Sequence, residues 1–196
     1  MRGRFIVLDG PDGSGTTLHT RLLSERLAAE SKKVLATAEP SDGSIGVFLR
    51  TALVSGHLSG DALQILFTAD RADHLSRIVE PALSAETNVI CDRYISSTIA
   101  YGEALNLDVA WLEDMNKKFI QPDVLIFLLP PMEVIMERLA ERKSHESLET
   151  NEVQERVHTA YTAMAKKNPS IVVIDSSGSK EEAADAIWSA VKSFLP

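Results

Sequence analysis

The run Gly10-Pro11-Asp12-Gly13-Ser14-Gly15-Thr16-Thr17 has the residue types and spacing of a loop that cradles phosphates, with one departure: position 16 holds threonine where such a loop carries lysine. Gly10, Gly13 and Gly15 permit the dihedrals and close approach by which successive N–H groups converge on phosphate oxygens at a helix start. Thr17 stands where a hydroxyl ordinarily ligates Mg²⁺. Thr16 offers the β- and γ-phosphates of a nucleotide one neutral hydrogen bond and no charge. Judged by other preorganised donors, losing such a group raises a barrier by roughly 2.7–4 kcal/mol unless another replaces it. The loop therefore predicts a nucleoside triphosphate, and position 16 leaves phosphoryl transfer short of one cation.

A second set of residues points to an acceptor. Asp92-Arg93-Tyr94 close an apolar run, which places a carboxylate where it holds Mg²⁺ directly or through water and an arginine where it grips another phosphate. Taken alone, a strand-terminal Asp-Arg is as often a structural ion pair. Its company decides the matter. Glu39-Pro40 ends a second apolar run, Arg50 follows an irregular Gly43-Ser44-Ile45-Gly46 helix start, and Phe67 and Arg71 lie at i and i+4. A ring and a guanidinium on one side of a helix suit a nucleoside monophosphate: the ring stacks on the base and the fork bonds a base edge or phosphate.

These residues need a scaffold. Five short apolar runs read as strands: Phe5 to Leu8, Val34 to Thr37, Asn88 to Cys91, Val124 to Leu129 and Ile171 to Ile174. Their continuous apolarity predicts strands covered on both faces. Between them lie helical stretches: one from the loop in which Leu18, Leu22, Leu23 and Leu27 share a face, then Asp61 to Leu83, Val109 to Phe119, Met132 to Lys143 with Pro131 in its first turn, Glu149 to Lys167, and Lys180 to Phe194. The alternation predicts an α/β fold with a parallel sheet whose carboxyl edge collects the ligands. Asp9, Glu39, Asp92 and Asp175 all fall at that edge. Ser144 to Asn151, polar and charged, suits a mobile lid.

Composition bounds the rest. At 196 residues and 44% hydrophobic content the chain fits one domain, 1–196. With 20 basic against 28 acidic residues, its charge of −8 argues against nucleic acid or anionic membrane as a partner, so local arginines must meet any anionic substrate. The single cysteine, Cys91, reads as a core residue. The N-terminus enters a strand directly and no apolar stretch reaches membrane-spanning length, which makes the cytoplasm the expected location.

Four motifs in order, Gly10 to Thr17, Glu39-Pro40 with Ile45-Gly46 and Arg50, Leu66 to His74, and Val89 to Tyr94 with Ser96-Ser97 and Ala100-Tyr101, make the sequence similar to thymidylate kinase, most of all its archaeal and bacterial branch. The resemblance implies a P-loop NTPase-type three-layer fold, a five-stranded parallel sheet with helices on both faces, forming a single nucleoside monophosphate kinase domain with a lid at about 138–151. It implies ATP-dependent phosphorylation of dTMP to dTDP, Mg²⁺ held by Thr17 and Asp92, and a homodimer. By the same resemblance Asp12 accepts from the sugar 3′-hydroxyl, Phe67 stacks on thymine, Arg71 reaches its carbonyl edge, Arg93 and Arg50 hold the acceptor phosphate, Glu39 borders the acceptor, and Tyr101 walls off a ribose 2′-hydroxyl. Asp12, Arg93 and the lid residue Arg142 are its expected catalytic residues, with Arg138 a second lid arginine. Against the family pattern, Thr16 replaces lysine, Ala38 an arginine, and Gly102 a glutamine, and Ser144-His145-Glu146 departs from the usual lid. These departures leave two alternatives: a nucleotide-binding homologue with impaired catalysis, or a kinase for another nucleoside monophosphate.

Overall fold

The computed structural model describes residues 2–141, 148 and 150–195. Five parallel strands, β1 (Phe5–Asp9), β2 (Val34–Ala38), β3 (Asn88–Asp92), β4 (Val124–Leu128) and β5 (Val172–Ile174), form one sheet in the order β2-β3-β1-β4-β5. Side chains alternate across a strand, and both sets are apolar here. Ile6, Leu8 and Ile90 pack with Leu23 and Leu27 of α1 (Thr16–Ala29) and Ile187 of α9 (Lys180–Val191). Phe5, Val7, Val89 and Cys91 face Leu75, Val79 and Leu83 on the other side. The three-layer α/β expectation is borne out.

Chain order places the site. From β1 the chain crosses to the edge strand β2, returns to β3 beside β1, then passes to β4 on the far side. The carboxyl ends of β1 and β3 therefore meet at the reversal of strand order, where open α/β sheets bind ligands.

The helices refine the sequence reading. The 61–83 stretch is α3 (Gly60–His74), a π-helical turn (Leu75–Val79) and α4 (Glu80–Ser84). The Gly43 to Gly46 segment opens a regular helix, α2 (Ser44–Ser55). Gly46 is required there, because a Cβ would stand 2.0 Å from the Ser41 carbonyl oxygen. The Ser96 to Tyr101 motif lies on α5 (Ile95–Ala104), followed by α6 (Val109–Asn116), α7 (Met132–Ala140) and α8 (Asn151–Lys167). Pro131 is the N-cap of α7, one position before its first turn. On α1 the leucine face is corrected: Leu23 and Leu27 are buried with Thr16, His19 and Thr20, while Leu18 is exposed beside the loop. Thr16, His19 and Thr20 take the inward positions at the start of the helix, next to the loop.

Candidate active site

The phosphate loop takes the predicted form. Gly13 (φ 80°) and Gly15 (φ 93°) are left-handed, and α1 starts from Gly15 with no side-chain cap, so its first-turn N–H groups are available to an anion. Gly10 is pressed against β4: a Cβ would lie 2.5 Å from the Leu128 carbonyl oxygen. Arg138 of α7 donates to the carbonyls of Gly13 (3.1 Å) and Ser176 (2.7 Å), and the Ser176 hydroxyl donates to Ser14 O at 2.7 Å. Loop and β5 turn are thereby tied together.

Thr17 Oγ1 donates to Asp92 Oδ2 at 2.5 Å, so the two expected metal ligands do meet. Asp92 is buried, and its Oδ1 has no protein partner. A hydroxyl beside an orphaned carboxylate oxygen is a hard oxygen donor set that fits Mg²⁺.

Next to this corner a cleft of about 320 Å³ is bordered by Asp12, Glu39, Arg50, Phe67, Arg71, Arg93 and Tyr101, which brings together every acceptor residue expected from the sequence. Arg93 sits at the elbow after β3 with φ 69°, a left-handed conformation uncommon outside glycine. Asp9 holds that elbow. Buried at the end of β1, it accepts from the N–H groups of Gly10, Tyr94 and Ser97, the Ser97 hydroxyl (2.7 Å) and the Tyr161 hydroxyl (2.6 Å). Burial raises the pKa of Asp9 above the usual carboxylate value, against the pull of Arg93 and these donors.

Arg93 donates to Gly10 O (2.8 Å), Ser97 Oγ (3.2 Å) and Asp12 Oδ1 (2.5 Å), with its guanidinium 5.5 Å from the Tyr101 ring centre. Burial opposes its charge, yet its pKa stands well above the usual arginine value, with the Asp12 and Asp92 carboxylates as the countercharges. Asp12 is bracketed from the other side by Gln154 of α8: the Asp12 N–H donates to Gln154 Oε1 (3.2 Å) and Tyr101 Oη (3.1 Å), and Gln154 Nε2 donates to Asp12 Oδ2 (2.9 Å) and Leu148 O (3.0 Å).

At the cleft's other end Phe67 is half-buried and Arg71 fully so. Arg71 pairs with Glu39 Oε2 (2.8 Å), donates to Thr98 Oγ1 (3.1 Å) and Asn116 Oδ1 (2.5 Å), and lies 5.0 Å from the Tyr94 ring centre. Its Nε–H has no protein acceptor. Glu39 also meets His74 Nδ1 at 3.2 Å, and His74 Nε2 meets Thr37 Oγ1 at 2.7 Å. Glu39 thus anchors the arginine from behind. Arg50 holds the turn after the cis Glu39–Pro40 bond through Pro40 O (2.8 Å) and Ser41 O (2.9 Å).

Arg142 lies outside the described residues. Gln154, Thr98, Asn116, Asp9 and Tyr161 were missed by the sequence reading. Of these only Asp9, at a strand end, carried a signal, and that signal named the position without a role. Gly102 does not border the cleft: a Cβ there would stand 2.3 Å from Leu112 Cδ1, so helix packing sets that residue. Cys91 is the core residue expected, its thiol pKa pushed well up by burial and then by Glu39 and Asp92. No helix among the described residues is long and apolar enough to cross a membrane.

Comparison with known proteins agrees with this geometry. The chain is 36% identical over 202 residues to a probable thymidylate kinase of Pyrococcus horikoshii, covering 100% of this chain and 98% of that one. It is 37% identical over 183 residues to a thymidylate kinase of Bordetella petrii (90% and 88% covered) and 38% over 200 residues to one of a Synechococcus species (98% and 96%). The family profile described as thymidylate kinase matches residues 8–187. Matched by that family profile over residues 8–187 and by relatives along its whole length, this protein belongs to the thymidylate kinase family.

Proposed function

We propose that the chain transfers the γ-phosphoryl group of ATP to dTMP, giving dTDP and ADP. The observation that carries this reading is the Asp12 bracket, in which one loop residue is fixed by Arg93 and Gln154 at the junction of phosphate loop and acceptor cleft. In this reading Gly10 to Thr17 receive the ATP phosphates and Phe67 stacks on thymine. The unpaired N–H of Arg71 serves the base edge, Arg93 and Arg50 hold the acceptor phosphate, and Asp12 receives the sugar 3′-hydroxyl. Tyr101, held against the Asp12 amide, closes the space a ribose 2′-hydroxyl would need. Thr17 and Asp92 would hold Mg²⁺, which supplies charge neutralisation at the phosphates. The protein's part is positioning and electrostatics, which phosphoryl transfer mainly requires.

Thr16 leaves a charge to be found, and we assign it to Arg142 or Lys143 of the lid. Leu148, at the lid's end, already borders the cleft and is tied to Gln154, so lid and acceptor seat share one contact chain. For assembly we propose a homodimer: Val47, Phe48 and Val54 of α2, Ile65 of α3 and Ile78 of the π turn are large apolar side chains left exposed. A cytoplasmic location accords with the single buried thiol.

Thr16 also favours a second reading, a homologue that binds nucleotides and has lost transfer. ADP release in a coupled assay separates the two. The kinase reading predicts turnover with dTMP well above that with dUMP, dCMP or dAMP, whereas release at the ATP-only rate with all four supports the binder. Preference for another acceptor would make the chain a kinase for that nucleotide.

A further inference from the structure

A second cleft, of about 360 Å³, opens between α1 and β2 and shares Thr17, Ala38, Pro40 and Asp92 with the acceptor cleft. One wall is the stripe Thr17, Thr20, Arg21 and Ser24 of α1, at i, i+3, i+4 and i+7; the facing wall includes Ala38, in register with Asp92. Thr20 is buried with a hydroxyl that has no protein partner, and Asp92 Oδ1 is likewise unpaired.

Transfer between two phosphorylated molecules concentrates negative charge that the protein must neutralise. Among the described residues, the arginines around the loop and first cleft are engaged: Arg93 with Asp12, Arg71 with Glu39, Arg50 with two backbone carbonyls, Arg138 with two more. Arg21 differs. Its carboxylate partner is Glu25 at 2.7 Å, and both side chains are more than half exposed, an arrangement that holds an arginine weakly in water. The cleft it borders is lined on the β2 side by Ala36, Thr37, Ala38, Pro40 and Asp42 and reaches Thr17 and Asp92 at the phosphate corner, and Glu25, Asp42 and Asp92 on the same cleft favour a cation there.

We propose that Arg21 leaves Glu25 when the substrates bind, enters this second cleft past Thr20 and Ala38, and sets its guanidinium against the acceptor phosphate as a catalytic residue. From the α1–β2 cleft it adds positive charge on the acceptor side, beside the donor-side charge assigned above to Arg142 or Lys143. The proposal rests on the donor and acceptor seats assigned above. In the step it serves, an acceptor phosphate oxygen bonds to the γ-phosphorus while the β,γ-bridging bond breaks and its electron pair leaves with ADP. Arg21 stays protonated throughout.

The test compares the unmodified chain with Arg21→Ala, an exposed position whose truncation leaves the fold intact. Three quantities are read: kcat, dTMP affinity alone, and affinity of dTMP in a complex with ADP, Mg²⁺ and aluminium fluoride, which mimics the transferring group. Arg21→Ala is expected to lower kcat by about 100-fold, to weaken the mimic complex in parallel, and to change dTMP affinity alone by less than about twofold. Adding Ala38→Arg to Arg21→Ala is expected to restore at least about tenfold, because the new guanidinium enters the same cleft from its other wall. The proposal is overturned if Arg21→Ala matches the unmodified chain, or if kcat falls with the mimic affinity unmoved and no recovery by Ala38→Arg. No ADP release by the unmodified chain would sink the kinase reading and this proposal together; equal release by both proteins sinks this proposal alone.

Discussion

Gln154 of α8 donates to the carboxylate of Asp12 and accepts from its backbone N–H, a two-way contact across 142 residues of sequence that fixes the loop's one acidic side chain. Arg93 takes the other carboxylate oxygen, so the orientation of Asp12 is set from both sides. A hydrogen bond to a charged group contributes about 1.5–3 kcal/mol. Gln154→Ala is therefore expected to raise KM for dTMP at least about tenfold while leaving KM for ATP nearly unchanged. Steady-state kinetics with each substrate varied in turn checks this.

Asp92→Asn keeps the size of the side chain and removes the charge beside Thr17. By the scale of preorganised electrostatic groups, kcat should fall by about 10²–10³-fold, with more Mg²⁺ needed for half-maximal activity. A Mg²⁺ titration of both proteins reads the effect, and identical titration curves would remove Asp92 from the metal site.

Gly102→Ala separates packing from chemistry. The added methyl would meet Leu112 Cδ1 at 2.3 Å, so the buried Leu112 side chain must repack or α5 must shift against α6. Overpacking of this kind costs about 1–3 kcal/mol. Denaturant unfolding should show that loss while KM for dTMP stays within about twofold; the opposite pattern would return Gly102 to the acceptor pocket.

The lid assignment predicts that Arg142→Ala lowers kcat far more than it raises KM for dTMP, the signature of a contact made in the transition state. Equal turnover with and without this arginine would end the assignment. Thr16→Lys is expected to restore little, since the loop now packs around a buried threonine.

The framework of the site was legible because it is local. Glycine spacing sets the loop, and strand ends place Asp9, Glu39 and Asp92 at one edge. The i, i+4 pairing of Phe67 and Arg71 puts both on the cleft. What escaped depends on contacts between distant segments. Thr98 and Asn116 meet Arg71 only after α5 and α6 pack beside α3, and nothing in their own sequence surroundings announces it. Tyr161 reaches Asp9 from a helix 152 residues later. Leu18 looked like core because the leucine pattern of α1 continues through it, yet the first turn of that helix is committed to the loop. Gly102, which departs from the family pattern, proved to be a packing contact with Leu112.

The central claim is that this loop, without a lysine, still supports phosphoryl transfer to the acceptor held by Phe67, Arg71 and Arg93. Phosphorus NMR of the purified chain with ATP, Mg²⁺ and dTMP tests it most directly. The account predicts that the ATP γ-phosphate and dTMP signals decline together as those of ADP and dTDP grow in equal amounts. Unchanged ATP and dTMP signals, in a sample shown by calorimetry to bind both, would contradict it.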